Sequence, residues 1–317
     1  MNLPKKIDIV EVGPRDGLQN LADFIPTEHK IRLIELLVAA GVKYLELTSF
    51  VHPKAIPQLA DAMEVTAAAM EKYGGDDSLY FNALVPNERG AENAVKCGLD
   101  TVSVVISASE AHNRANVNRT VDESLEGLAD IAAAFPELNI RFDMATAFGC
   151  PFEGPVPEGK VLSLIGRAAD IGIAEVVLCD TIGIADPAHT ESLISAVKKA
   201  FPKLPLAMHM HDTRGLGLAN ILTGMQCGVT AFETSVGGLG GCPFAPGAAG
   251  NTTTEDLLNM ADRMGVETGV SLSRFYDAIY FVKGNIKEGL TSRMAGVPRS
   301  EGSIDQRFPR KAIALPY

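Results

Sequence analysis

Eight short apolar segments separated by longer amphipathic ones constrain the fold of this chain more than any other feature. They cover residues 7–12, 44–49, 79–85, 101–107, 140–146, 175–180, 206–211 and 231–236. Each is rich in β-branched or other strand-favouring residues, and several read as near-continuous apolar runs, as strands buried on both faces do. Between them lie helical stretches. In 27–40, Thr27 is placed to cap and Ile31, Ile34 and Val38 fall on one face; in 252–264, Thr252 and Glu255 have capping-box spacing.

A faint internal repeat has the same layout. Gly41-Val42, Gly98-Leu99, Gly172-Ile173 and Gly228-Val229 each end a helical stretch and begin a strand. Glycine there accepts the left-handed backbone that closes a helix. The intervening helices stop at Gly74-Gly75, Phe135-Pro136, Phe201-Pro202 and Gly265, so the unit is two strand–helix pairs, repeated four times. Right-handed crossovers between eight parallel strands are best accommodated by a closed α/β barrel, the (β/α)8 TIM barrel, and a single barrel of this kind needs about 250 residues. The expected organisation is a barrel domain over residues 1–270, then residues 271–317 as an additional C-terminal helix (271–287) and an irregular, locally basic tail, packed on the barrel or extending from it.

The bulk properties exclude several function classes. A net charge of −11 disfavours a nucleic-acid partner, which needs basic patches for phosphates. No apolar run is long enough to span a bilayer, and the first residues lead into a strand rather than a secretory signal, so the expected location is cytoplasmic. The five cysteines are odd in number, widely spaced and lack a C-x-x-C pair, which indicates neither a disulfide frame nor a zinc finger.

In a barrel the polar residues at the C-terminal strand ends meet at one mouth. Arg15 and Asp16 follow strand one, Glu46 and Ser49 end strand two, Asp180 ends strand six, and His209 and His211 end strand seven. Two histidines at i and i+2 of a strand face the same way. A centre made of Asp16, His209, His211 and Asn251 would offer one carboxylate oxygen, two imidazoles and an amide oxygen, a set suited to octahedral Mg2+ or Mn2+ with positions left for substrate. The competing reading is a strand end whose histidines bond only to backbone.

Arg15, held in the short Gly13-Pro14-Arg15-Asp16 loop, is placed to meet a developing oxyanion, or else to form a structural ion pair with Glu46 or Glu11. Cys242 lies in a glycine- and proline-rich loop, Gly237 to Gly250, that matches no nucleotide-binding fingerprint. A thiol there can act as a general acid or base if nearby cations lower its pKa. His112, in a segment rich in Asn and Arg after strand four, is a further candidate for touching substrate.

The motifs 10–20, 48–51, 149–154, 209–213 and 237–251 together resemble the 3-hydroxy-3-methylglutaryl-CoA lyase family, part of a wider set of metal-dependent barrels that make and break Claisen-type bonds. The resemblance runs from about residue 7 to residue 269. It implies an oxo-acid lyase that cleaves 3-hydroxy-3-methylglutaryl-CoA, or a related 3-hydroxy-3-substituted glutaryl-CoA, to acetyl-CoA and acetoacetate or the corresponding 3-oxo acid. It further implies metal ligation by Asp16, His209, His211 and Asn251, enolate stabilisation by Arg15, proton delivery by Cys242, and Glu11, Gln19, Glu46, Ser49 and Asp180 lining or supporting the site. His209, or a water it holds, would remove the substrate's hydroxyl proton. An acyl-CoA partner and a homodimer are implied by the same resemblance.

Three departures from the family pattern bear on the substrate: Leu21-Ala22 after Asn20, Arg214 in Asp-Thr-Arg-Gly, and Val177 near strand six. Arg214 would add positive charge to the pocket. The alternative within the family is a synthase that joins acetyl-CoA to a 2-oxo acid; such enzymes generally carry C-terminal accessory domains, for which little chain remains. From another class, a non-catalytic barrel that binds an acyl thioester is disfavoured by so many polar groups at one mouth.

Overall fold

The eight expected strands are all present in the computed structural model, which describes residues 2–241 and 250–299. They are β1 (Asp8–Glu11), β2 (Tyr44–Ser49), β3 (Tyr80–Leu84), β4 (Thr101–Ser107), β5 (Asn139–Ala145), β6 (Glu175–Asp180), β7 (Leu206–Met210) and β8 (Ala231–Thr234). Every neighbouring pair is parallel, and β8 pairs with β1, from Asp8 opposite Ala231 to Glu11 opposite Thr234. The sheet is therefore a closed barrel in sequential order. Closure leaves no strand edge to solvate, which is why short strands suffice.

Among the described residues ten α-helices accompany the strands: α1 (Thr27–Ala40), α2 (Ala62–Tyr73), α3 (Glu88–Lys96), α4 (Glu110–Val117), α5 (Val121–Ala134), α6 (Glu158–Ile171), α7 (Pro187–Ala200), α8 (Gly217–Gln226), α9 (Thr254–Met264) and α10 (Leu272–Asn285). Gly41, Gly98, Gly172 and Gly228 all have positive φ, between 77° and 104°, so the repeat is a repeat of left-handed helix exits. Two helices follow β4 where the strand–helix alternation leads to one, the additional one being α4. Ser109 caps α4 and Asn118 ends it in the left-handed region, so His112 sits on a helix.

Local details of the helices differ from expectation. Pro26, not Thr27, stands before α1, and the Thr27 hydroxyl donates to Asp61 instead. The fully buried stripe of α1 is Lys30, Leu33, Ile34 and Leu37; Ile31 and Val38 lie at its margins. Lys30 can be buried because its ammonium reaches the Gln58 carbonyl at 2.5 Å and Asp61 at 2.6 Å. The Thr252–Glu255 capping box does not form. Helix α9 begins at Thr254, the Thr252 hydroxyl donates to the Met210 carbonyl, and Glu255 accepts the Gly237 amide.

The core fills the barrel and the layer between strands and helices. Phe142, Phe232, Leu45 and Leu47 are among its fully buried members, and Phe275, Ile279 and Val282 of α10 join the same cluster. Helix α10 packs beside α1. Among the described residues no helix is long and apolar enough to cross a membrane.

Candidate active site and metal centre

Four chain segments converge at the C-terminal end of the barrel. After β1 the backbone makes a tight five-residue turn, Gly13–Gly17, which holds Arg15 and Asp16 at the mouth. Its first glycine has no room for a side chain: a Cβ on Gly13 would lie 2.6 Å from the Glu11 carboxylate. From β7 comes His209. His211 lies one residue past the strand, in an antiparallel bridge to Asn251. Backbone bonds from Asp212 to the Gly250 carbonyl, Thr252 to Met210 and Ser235 to Thr252 pin segment 250–252 beside β7 and β8, which fixes Asn251.

One carboxylate oxygen of Asp16 and one nitrogen from each of His209 and His211 all lie within 4.8 Å of one another. Asn251 donates from Nδ2 to Asp16 at 2.7 Å and to the Leu239 carbonyl at 3.0 Å, while its Oδ1 is buried and has no hydrogen-bond partner among the described residues. An unsatisfied buried acceptor beside a carboxylate and two imidazoles fits a bound cation. The donor set contains no thiolate, which suits Mg2+ or Mn2+ better than structural zinc.

The electrostatics agree with that use. Burial opposes ionisation of Asp16, yet Arg15 and the two imidazoles outweigh it and draw the carboxyl down to about 2. His211 is pushed down to about 4 by burial and by His209 beside it, so it is neutral and free to donate a lone pair. His209 is held by Glu233, whose Oε2 lies 2.8 Å from Nδ1. Glu233 in turn pairs with Arg141 at 2.8 Å, and Arg141 with Glu175 at 2.7 Å. A carboxylate on Nδ1 fixes the imidazole so that Nε2 remains for the cation.

Arg15 is 6% exposed and forks between two acids, with Nε 2.5 Å from Glu46 and a terminal nitrogen 2.5 Å from Asp16. Of the two ion-pair partners considered, the structure selects Glu46 and not Glu11. Gln19 donates to the same Asp16 oxygen at 2.6 Å. Arg15, Asp16, Gln19, Ser49, His209 and His211 line one cavity of about 860 Å³, and His112 lies on its wall, bonded to Ser107 at 2.6 Å.

Glu11 and Asp180 stand behind the cavity. Glu11 accepts the amides of Gly13 and Val236, each at 2.8 Å, and the Thr254 hydroxyl at 2.6 Å, tying the β1 turn to the segment after β8. Asp180 accepts the amides of Ile184 and Ala185 and holds the loop after β6. Arg214 does not supply charge to the pocket: its guanidinium donates to the Ile182 and Gly183 carbonyls. Cys242 lies outside the described residues; Gly241, just before it, lines the cavity.

Sequence reasoning missed Glu233, Arg141 and Asp143, and gave Glu255 a capping role instead of its bond to Gly237. The first three carry a legible signal. A charged residue in the middle of an apolar barrel strand cannot face the helices, so it faces the interior.

Comparison with known proteins follows the same line. The model of the HMGL-like family matches residues 6–282. The chain belongs to the HMGL-like family. It is 44% identical over 302 residues to the hydroxymethylglutaryl-CoA lyase YngG of Bacillus subtilis, covering 95% of this chain and 100% of that protein. The crystal structure of the Bacillus subtilis HMG-CoA lyase superposes with a TM-score of 0.89, at 44% identity, over 94% of this chain and 99% of that one. An HMG-CoA lyase from Acinetobacter baumannii, solved in complex with coenzyme A and 3-methylmalate, is 37% identical with a TM-score of 0.87, over 94% and 96% of the two chains.

Proposed function

We propose that the chain is a carbon–carbon lyase that cleaves 3-hydroxy-3-methylglutaryl-CoA to acetyl-CoA and acetoacetate by a metal-assisted retro-Claisen reaction. The observation that carries this reading is the convergence of Asp16, His209 and His211 within 4.8 Å, in the same cavity as a buried arginine, in a chain 44% identical to a hydroxymethylglutaryl-CoA lyase. Asp16, His209, His211 and Asn251 would hold Mg2+ or Mn2+, which when bound acidifies the substrate's tertiary hydroxyl and gathers its oxygens.

This chain's own residues supply the rest. Arg15 is fixed by Glu46 and Asp16, so it meets the oxygen of the thioester enolate without reorganisation as the C2–C3 bond breaks. With Nδ1 of His209 committed to Glu233, Nε2 would be the nitrogen left to hold the cation, and removal of the hydroxyl proton would fall to a water beside His209 rather than to the ring itself. Cys242 returns a proton to the enolate carbon to give acetyl-CoA. Gln19 steadies Asp16, and Ser49 offers the cavity a buried hydroxyl with no partner among the described residues.

The test is a coupled assay for acetyl-CoA release across a panel of 3-hydroxyglutaryl thioesters, with Mg2+ and Mn2+ each present or withheld. Metal-dependent release from 3-hydroxy-3-methylglutaryl-CoA supports the reading. Release of free coenzyme A from acetyl-CoA and a 2-oxo acid, with no cleavage, would replace it with a synthase.

A further inference from the structure

Strand β5 carries an acid, Asp143, that the reading above leaves without work. Ile140, Phe142 and Met144 face the apolar layer, so Arg141 and Asp143 face the barrel interior. Asp143 is 3% exposed and lines the cavity; its Oδ1 is buried with no hydrogen-bond partner, and no basic nitrogen of the described residues lies within 4 Å of it.

The groups around it explain why. Arg141 on its own strand is taken by Glu175 and Glu233, and Arg15 from the β1 turn by Glu46 and Asp16. From β2 and β8 it faces Glu46 and Glu233, and from β6 the thiol of Cys179. Two guanidinium groups thus already serve four carboxylates, and neither is left to pair with Asp143. Burial, reinforced by Glu233, holds the Asp143 carboxyl well above the usual carboxylate range. In that neutral state its carboxyl group is a hydrogen-bond donor, and its Oδ1 accepts from no described residue.

We propose that Asp143 is a substrate-binding residue whose neutral carboxyl group donates a hydrogen bond to the distal carboxylate of the acyl chain. The proposal rests on the lyase reading. Coenzyme A is too large to leave the mouth, so the free end of the acyl chain is the part that reaches inward toward β5. An anion at that end is the acceptor best matched to a neutral donor, while an ionised aspartate would repel it. In the Acinetobacter baumannii lyase the small ligand bound with coenzyme A, 3-methylmalate, is itself a hydroxy dicarboxylate.

The experiment compares the parent holoenzyme with D143N and D143L under saturating Mg2+. Steady-state kinetics use 3-hydroxy-3-methylglutaryl-CoA, and competitive inhibition uses 3-hydroxy-3-methylbutyryl-CoA, which lacks the distal carboxylate. In D143L, KM for the dicarboxylic substrate rises about 10- to 100-fold, as expected when a hydrogen bond to a charged group is lost. Affinity for the analogue changes less than threefold on the same scale. In D143N most of the lost affinity returns, because the amide still donates. The parent KM increases as pH rises and Asp143 ionises; in D143N that increase is absent.

Equal losses for both ligands, or no loss, in D143L would overturn the proposal. So would a D143N profile that keeps the parent's alkaline rise, and this comparison decides the matter if D143L does not fold. A parent enzyme that cleaves no 3-hydroxyglutaryl thioester would defeat the lyase reading instead, which separates the two failures.

Discussion

Glu233 and His209, on adjacent strands β8 and β7, share a 2.8 Å hydrogen bond between Oε2 and Nδ1 at the base of the candidate metal centre. Burial opposes the charge on Glu233, but Arg141 and His209 outweigh it and draw its carboxyl down to about 2, so it stays anionic beside the imidazole. Such a partner sets the tautomer and increases ligand basicity. E233Q keeps an acceptor for the ring but removes the charge. It is expected to weaken Mn2+ binding about 10- to 100-fold. Calorimetric titration of the apoenzyme measures this directly, and affinity within twofold of the parent, about 0.4 kcal/mol, would discard the role.

The barrel was legible because its signal is redundant. Eight apolar segments, with glycine exits at Gly41, Gly98, Gly172 and Gly228, each point to the same alternation. The metal ligands were legible because His209 and His211 lie two residues apart and Asp16 sits in a tight turn. Glu233 and Asp143 were missed for a different reason. Glu233 is the one charge of β8, Asp143 shares β5 only with Arg141, and the charged groups that surround both come mainly from strands distant in sequence. The caps failed where tertiary contacts compete: Thr252 serves Met210 and Glu255 serves Gly237.

Arg15 supports a second expectation, since its ion pair with Glu46 is buried and its other, part-buried one is made with the metal ligand Asp16. R15M removes the donor for the enolate oxygen, and R15K restores charge without the fork that spans Glu46 and Asp16. Both should lower kcat, R15M by about 10²- to 10³-fold and R15K by less, with a smaller change in KM. Single-turnover measurements at saturating substrate report the bond-breaking step. A kcat in R15M within a few-fold of the parent would remove Arg15 from that step.

Gly240 controls Asn251 through space alone. Its φ is +100°, and a Cβ built on it would lie 2.5 Å from Asn251 Nδ2 and 3.3 Å from the Asp16 carbonyl. In G240A the strained backbone costs about 1–2 kcal/mol. The larger effect should be on the metal, because Asn251 must move off Asp16. Mn2+ affinity is expected to fall by about tenfold, or 1.4 kcal/mol, with the melting temperature lowered by only a few degrees. Retained affinity in a folded G240A would show that Asn251 is not needed as a ligand.

Glu11 and Glu255 lead to a pH dependence of stability. Burial pushes Glu11 from its ordinary 4.5 up to about 8, and Glu255 from 4.5 up to about 7. Each therefore keeps in the folded chain a proton that the unfolded chain releases near its ordinary value. The stability this contributes is complete below pH 4.5, declines as pH rises, and is gone above about 7 for Glu255 and about 8 for Glu11. In E11Q the amide oxygen still accepts from Gly13 and Val236, and its nitrogen donates to Thr254, so the tie survives without a titrating proton. Urea unfolding of the apoenzyme between pH 5 and 9 should show the parent weakening with rising pH. E11Q should lose the part of that slope between about pH 7 and 8, where Glu11 still titrates and Glu255 is already largely ionised. If E11Q follows the parent slope across that interval, Glu11 is already ionised in the folded chain, and the clamp between the β1 turn and the segment after β8 is anionic.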